Sequence, residues 1–120
     1  MSNTETRPEK IWPWEKSMPD DVDWREPVAT RVLPDILDDA IRQYAGRPVI
    51  DFLDRIYTYA ELGDLVHRAA KGLQALGVAK GTRVGLMLPN CPAYVVFFWG
   101  TLAAGGTVVN ISPLYAPDEL

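Results

Sequence analysis

The segment "GTRVGLMLPNCPAYVVFFWGTLAAGGTVVNI" sets the narrowest limits on what this chain can fold into. Val84, Leu86, Met87 and Leu88 read as a strand of mostly buried type, closed by Pro89. Asn90 is placed to cap the helix that follows, and Pro92 suits its first turn. From Ala93 to Ala104 the helix is apolar nearly all round, which predicts burial on most of its sides. Gly105-Gly106 stops it, and Val108, Val109 and Ile111 begin a second strand. Strand, helix and strand within about thirty residues make a βαβ unit, with a right-handed crossover and parallel strands. Parallel sheets are covered by helices on both faces. This chain has few helices to give, so in isolation it is expected to leave apolar surface exposed or to cover it by self-association.

Upstream, Leu33, Ile36, Leu37, Ala40, Ile41 and Tyr44 recur at three- and four-residue spacing, the stripe of an amphipathic helix. Pro34 fits its first turn and Gly46 its exit. Asp38, Asp39 and Arg42 fall on the opposite, solvated face. "RPVIDFLDRIYTYAEL" then turns strand-like, with Val49, Ile50, Phe52 and Leu53 in one run and Ile56 and Tyr57 in another. Asp54-Arg55 is the expected hairpin turn between them. Thr58 and Glu61 have capping-box spacing, and Tyr57 and Leu62 stand where a hydrophobic staple would clamp the entry. That second helix carries Leu65, Val66, Ala69, Leu73 and Leu76 on one face and stops at Gly77.

Before Leu33 the chain is rich in Pro, charge and Trp without a sustained period. It reads as an extended arm whose Trp12, Trp14 and Trp24 gain from docking on an apolar surface. The expected organisation is therefore an arm over 1–33 and a partial α/β subdomain over 34–120. That subdomain comprises the βαβ unit with parallel strands, a short hairpin and flanking helices. Pro117-Asp118-Glu119 reads as the first turn of a further helix, as though the chain were the front of a longer enzyme whose chemistry lies beyond Leu120.

Composition removes several classes. The net charge of −4 argues against a nucleic-acid binder, which would carry a basic stripe. A single cysteine forms no internal disulfide, so a reducing compartment is the default. "MSNTETRPEKIWPWEK" has charges throughout and no apolar core, unlike a signal peptide. The run Ala93 to Ala104 is broken by Gly100 and Thr101 and falls well short of the ~20 residues that span a bilayer.

No catalytic constellation emerges from the residues. His67 is the only histidine, beside Arg68 on a helix, and reads as a solvated surface residue. Cys91 at a helix N-terminus favours the thiolate, but no second histidine offers a base, so it reads as a small packing residue. The turn "LPNCPAY" lacks the glycines with which a dinucleotide-binding turn approaches a pyrophosphate. Gly105-Gly106 lies at the wrong end of its helix for phosphate, and Lys80-Gly81 precedes a strand. Asp35, Asp38, Asp118 and Glu119 offer carboxylates that nothing in the sequence brings together. No catalytic, cofactor-binding or metal-binding residue is assigned.

The order of the pieces nevertheless resembles the N-terminal part of adenylate-forming acyl-CoA synthetases. "TYAEL" resembles their hairpin-to-helix junction, and "LGVAKGTRVGLMLPN" their helix exit and strand, with Thr82 where Asp is common. "VVNISPLYAPDEL" is most similar to the long-chain fatty-acid–CoA ligases and their "VNxNPLYTPxEL", from which Ile111-Ser112 and Ala116 depart. "EKIWPWEKSMPDDVDW" resembles the tryptophan-containing lead-in of bacterial members. The resemblance implies a fatty acid attacking the α-phosphate of ATP to give an acyl-adenylate and pyrophosphate. Coenzyme A then displaces AMP and leaves a thioester. It implies ATP, Mg²⁺ and coenzyme A for a full-length parent, with the phosphate loop and catalytic lysine further downstream and none of these groups bound by residues 1–120. It also implies a cytoplasmic enzyme with peripheral contact at the inner face of the membrane, and a homodimer through the arm. Against this stand a free-standing interaction module using an exposed apolar face, and a nucleotide-binding half-domain, which the missing glycines disfavour.

Overall fold

The computed structural model describes residues 12–116 and Asp118. The expected helix start at Pro117 and Glu119 lies outside the described residues, as does the beginning of the arm. The chain separates into two compact units, Met1–Thr30 and Arg31–Leu120.

In the first unit, a 3₁₀ helix covers Pro13–Ser17. The Trp12 backbone N–H donates to Glu15 Oε1 at 2.7 Å, and the Glu15 N–H donates back to the Trp12 carbonyl at 3.1 Å. Glu15 also receives Arg25 Nη2 on both carboxylate oxygens, at 3.0 and 2.9 Å. The Arg25 guanidinium lies over the Trp24 ring at 4.5 Å, and Trp24 meets Trp14 edge to face at 4.7 Å. The aromatic rings thus take part of their cover from one another, through residues ten apart that no periodicity links.

The second unit begins with α1 (Leu33–Tyr44), followed by the hairpin of β1 (Pro48–Phe52) and β2 (Arg55–Thr58). Next come α2 (Tyr59–Ala75), β3 (Arg83–Leu86), α3 (Pro92–Ala103) and β4 (Thr107–Asn110). Strands β3 and β4 pair in parallel, Arg83 opposite Thr107 through Leu86 opposite Asn110, so the βαβ reading holds. The core is Leu37, Leu62 and Val66, with Ile41, Val49, Ile50, Val95, Val96 and Trp99 packed around it. It joins α1, α2, α3 and the hairpin.

Local chemistry explains the element ends. Thr58 Oγ1 accepts the Glu61 N–H at 3.3 Å while Glu61 Oε2 accepts the Thr58 N–H at 2.8 Å, the reciprocal box that starts α2. The helix closes with a Schellman pair, Gly77 N–H to Gln74 O and Val78 N–H to Leu73 O, with Gly77 at φ +93°. α3 ends the same way, with Gly105 at φ +92° and Gly106 N–H donating to Thr101 O. At Thr82 the hydroxyl accepts the Ala79 N–H at 3.1 Å, an acceptor role a carboxylate would also fill.

Four expectations are corrected. The hairpin turns at Leu53-Asp54, one residue earlier than Asp54-Arg55, with φ values of +47° and +63°. Two consecutive left-handed residues match the right-handed twist of a tight hairpin. They put Arg55 into the strand and turn Leu53 out to 84% exposure. The α3 N-cap is Cys91, not Asn90, and it makes no side-chain cap bond. Pro92 at N1 sets the register and has no N–H to satisfy, which leaves Asn90 one residue too early. Strand β3 ends at Leu86, leaving Met87 and Leu88 beyond the ladder. Finally, α3 is not buried on most sides: only Gly100 and Thr101 are buried along it, and Phe97 is 40% exposed. Its apolar surface exceeds the surface that α1, α2 and two strands cover.

Candidate functional site

The carboxyl ends of β3 and β4 and the N-terminus of α3 converge at one edge of the second unit. In parallel α/β sheets this edge is where ligands bind, because loops leaving the strands diverge there and open a crevice. Two cavities flank the start of α3. One, of about 330 Å³, lies against the hairpin and is lined by Ile50, Phe52, Cys91, Pro92 and Val95, with Asn90 and Tyr94. The other, of about 370 Å³, lies over the strand ends between Leu86, Leu88 and the Asn110–Pro113 segment. Tyr94 stands between them, its hydroxyl donating to Asn110 Oδ1 at 3.0 Å.

The residues weighed from sequence are scattered. Cys91 is half-buried in the first cavity. His67 is exposed on α2, its Nε2 3.7 Å from Asp38 Oδ1 on α1, and lies away from both cavities. Asp35 is exposed on α1, and Asp118 is exposed near the end of the described residues. Gly81, at φ +92°, turns the chain into β3, and Gly105 terminates α3. Among the described residues no group of three or more His, Cys, Asp or Glu is placed to hold a metal ion.

Charge concentrates elsewhere. Asp39 accepts from Arg31 and from Arg42, and these two guanidiniums hold its carboxyl below the usual range. Glu61 is held down by the Thr58 N–H, then by the Thr58 hydroxyl. Both shifts belong to helix α1 and the α2 cap, and both serve structure. The face of α1 expected to be merely solvated is thus an ion-paired one.

Sequence reasoning missed the group formed by Asn90, Tyr94, Asn110 and Ser112. Its signal was available: all four lie just beyond, or just across from, the carboxyl end of a predicted parallel strand.

The family model for AMP-binding enzymes matches residues 37–120. The chain belongs to the AMP-binding enzyme family. Among curated members, it is 36% identical over 108 residues to a long-chain-fatty-acid–CoA ligase of Bacillus subtilis, covering 90% of this chain and 19% of that protein. It is 37% identical over 114 residues to one of Yersinia pestis, covering 93% of this chain and 20% of that protein. It thus spans about a fifth of the length of these relatives. The fold matches the Klebsiella oxytoca NpsA N-terminal subdomain with a TM-score of 0.71 at 24% identity, over 74% of this chain and 23% of that one. The architecture is therefore the mixed α/β fold of that N-terminal subdomain.

That membership sharpens the test for a nucleotide site. A triphosphate needs backbone N–H groups at a glycine turn or clustered cations, and bound Mg²⁺ needs converging carboxylates. Neither cavity is lined by a charged side chain, and no glycine lines them. As lined by the described residues, these two cavities do not fit ATP or Mg²⁺.

Proposed function

We propose that this chain is an arm, over 1–33, and part of the N-terminal α/β subdomain, over 34–120, of an ATP-dependent acid–thiol ligase acting on long-chain fatty acids. The parent would join a fatty carboxylate to ATP, releasing pyrophosphate, and then pass the acyl group to the thiol of coenzyme A, releasing AMP. The observation that carries this reading is identity of 36 and 37%, over 90 and 93% of this chain, to two proteins named as long-chain-fatty-acid–CoA ligases. ATP and Mg²⁺ would be held by segments outside residues 1–120. Within this reading the chain's contribution is scaffolding: α2 and α3 lock the βαβ unit to the hairpin, and no residue of 12–116 is assigned a proton, nucleophile or phosphate to handle.

The parent is read as a cytoplasmic enzyme that meets the inner face of the membrane peripherally. Among the described residues no helix is long and apolar enough to cross a bilayer. The arm is read as a dimer contact, supported by Trp12, Trp14 and Trp24, each more than a third exposed. Sedimentation of the parent with and without residues 1–33 tests this; equal mass in both would overturn it.

The reading as a whole is tested by assaying the parent with ATP, Mg²⁺ and a series of acids of increasing chain length. Release of pyrophosphate should depend on a long-chain acid, and release of AMP on coenzyme A. Strict preference for an aromatic or short acid would overturn the substrate class. Thioester formation by the 120-residue chain alone would overturn its assignment as scaffold.

A further inference from the structure

We propose that the Arg31–Val32 bond is a site of proteolytic processing by an arginine-specific serine endopeptidase, and that Asp39 holds the cut back. Such an enzyme takes its substrate as several residues of extended chain whose backbone groups are free to pair with it. Residues 27–32 meet that need. They carry no helix or strand, every one is exposed, and they cross the boundary between the two compact units at Thr30 and Arg31. Val28 is 93% exposed and Val32 61%, and Val32 is already extended at φ −80° and ψ 141°. Backbone pairing stops at the Glu26 N–H, which donates to Asp23 O, and resumes at the Asp35 N–H, which donates to Val32 O. Among the described residues, no backbone–backbone hydrogen bond involves 27–31. Every other described Lys or Arg lies in a helix, in a strand or in a turn closed by a backbone bond.

The arginine side chain is the second requirement. A protease of this class holds it through a carboxylate in its specificity pocket. Asp39 already supplies a carboxylate: Arg31 Nη2 donates to Asp39 Oδ2 and, at 3.5 Å, to the Asp35 carbonyl. Arg42 donates to Oδ1 of the same group, and the two guanidiniums keep it ionised. The Arg31 side chain is therefore turned back onto α1 and must leave Asp39 before a protease can seat it. The pair is exposed, so the hold slows the cut without preventing it.

Hydrolysis breaks the bond between the Arg31 carbonyl carbon and the Val32 nitrogen. Water gives its hydroxyl to the carbon and a proton to the nitrogen, leaving a carboxylate and an amine. The covalent link between arm and subdomain is severed, and every helix and strand of the second unit stays whole. Taken with the arm as a dimer contact, on which this consequence alone rests, the cut is an irreversible way to switch that contact off.

The test is a digest of the 120-residue chain with sparing trypsin, its products weighed by mass spectrometry over time. A product beginning at Val32 should accumulate first, and Arg31→Gln should abolish it. Asp39→Asn should speed its appearance about two- to fivefold, the size of an exposed ion pair. Arg68 and Lys71 on α2 report any loosening of the fold, and cutting there should keep its wild-type rate in Asp39→Asn. Earlier cuts within 33–120, an unchanged rate in Asp39→Asn, or an equal rise at Arg68 and Lys71 overturns the proposal. None of these readouts needs ligase activity, so a parent that releases no pyrophosphate removes the ligase reading and leaves the cleavage site to be decided by the digest.

Discussion

Helices α2 and α3 lie against each other, yet they are opposite kinds of helix. α2 is amphipathic, capped by a reciprocal box at its start and a Schellman pair at its end, and buries Leu62 and Val66 to 2% exposure. α3 is apolar on every side, has no side-chain cap at its start, and keeps most of its length half-exposed. The partners of α2 within the chain are α1, α3 and the hairpin. α3 packs on α2, α1, β3 and β4 and carries Phe97 at 40% exposure. Hydrophobicity therefore measures how much surface a helix is built to bury. The amount it does bury depends on what else is present.

The strongest way to break this comparison is truncation on each helix. Leu62→Ala should cost about 3 kcal/mol, since it removes a fully buried side chain and leaves a cavity. Phe97→Ala should cost about 1 kcal/mol in this chain, although phenylalanine is larger, because part of its ring is already in water. Urea midpoints of both variants check the ranking. Equal costs would mean that α3 is covered in solution, as by self-association, and would show as a concentration-dependent midpoint.

The contact between the two helices gives the next effect. Gly100 faces α2 so closely that an added Cβ would sit 2.9 Å from Ala69 Cβ and 3.4 Å from the Ala70 nitrogen. In an exposed helix, Gly→Ala stabilises by about 1 kcal/mol. Here Gly100→Ala should destabilise by about 2 kcal/mol, because the backbones must separate. A stabilised variant would show that the helices part at little cost.

The caps sharpen the comparison further. Thr58→Ala should cost about 1 kcal/mol by removing a side-chain acceptor from the start of α2. Cys91 has extended backbone, φ −148° and ψ 166°, suited to capping, but offers no side-chain bond. Cys91→Ser should therefore add about 0.5 kcal/mol. Thermal unfolding of the two single variants reads both signs.

Where the fold was legible, one residue type had one physical use. Gly77 and Gly105 stop helices because the left-handed position after a C-cap suits a residue without Cβ. Thr58 and Glu61 start α2 because their spacing closes two bonds at once. The parallel pairing of β3 and β4 followed from an apolar strand–helix–strand run too short for any other crossover. Where reading failed, residues competed. Leu53 counts as strand by hydrophobicity, but the hairpin needs two left-handed residues and takes it together with Asp54. Asn90 is the better capping residue by type, yet Pro92 fixes the register at Cys91. The Trp14–Trp24 contact and the Tyr94–Asn110 bond were out of reach for another reason: each joins segments ten or more residues apart, where no spacing rule applies.

The smallest expected effect is acid sensitivity, and it too separates the helices. Glu61 at the start of α2 and Asp39 on α1 both have folded pKa values lowered from the ordinary carboxylate range, by the Thr58 N–H and the Arg31 guanidinium foremost. α3 carries no Asp or Glu between Pro92 and Ala103. A lowered folded pKa means that the unfolded chain binds the proton more tightly. The stabilisation is then complete above the unfolded carboxylate value of about 4 and is lost as pH falls through the lowered folded values. Urea midpoints should accordingly be level from neutral pH down to about 5 and fall below about 4. In Glu61→Gln the part of that fall due to the cap should vanish, since an amide oxygen accepts the Thr58 N–H at any pH. In Asp39→Asn the rest should shrink, and high salt should mimic it, because that ion pair is exposed and screened. A midpoint that stays level down to pH 2 in the wild type would mean that neither carboxylate is held in solution, and that α2 owes its start to the Thr58 hydroxyl and the burial of Leu62.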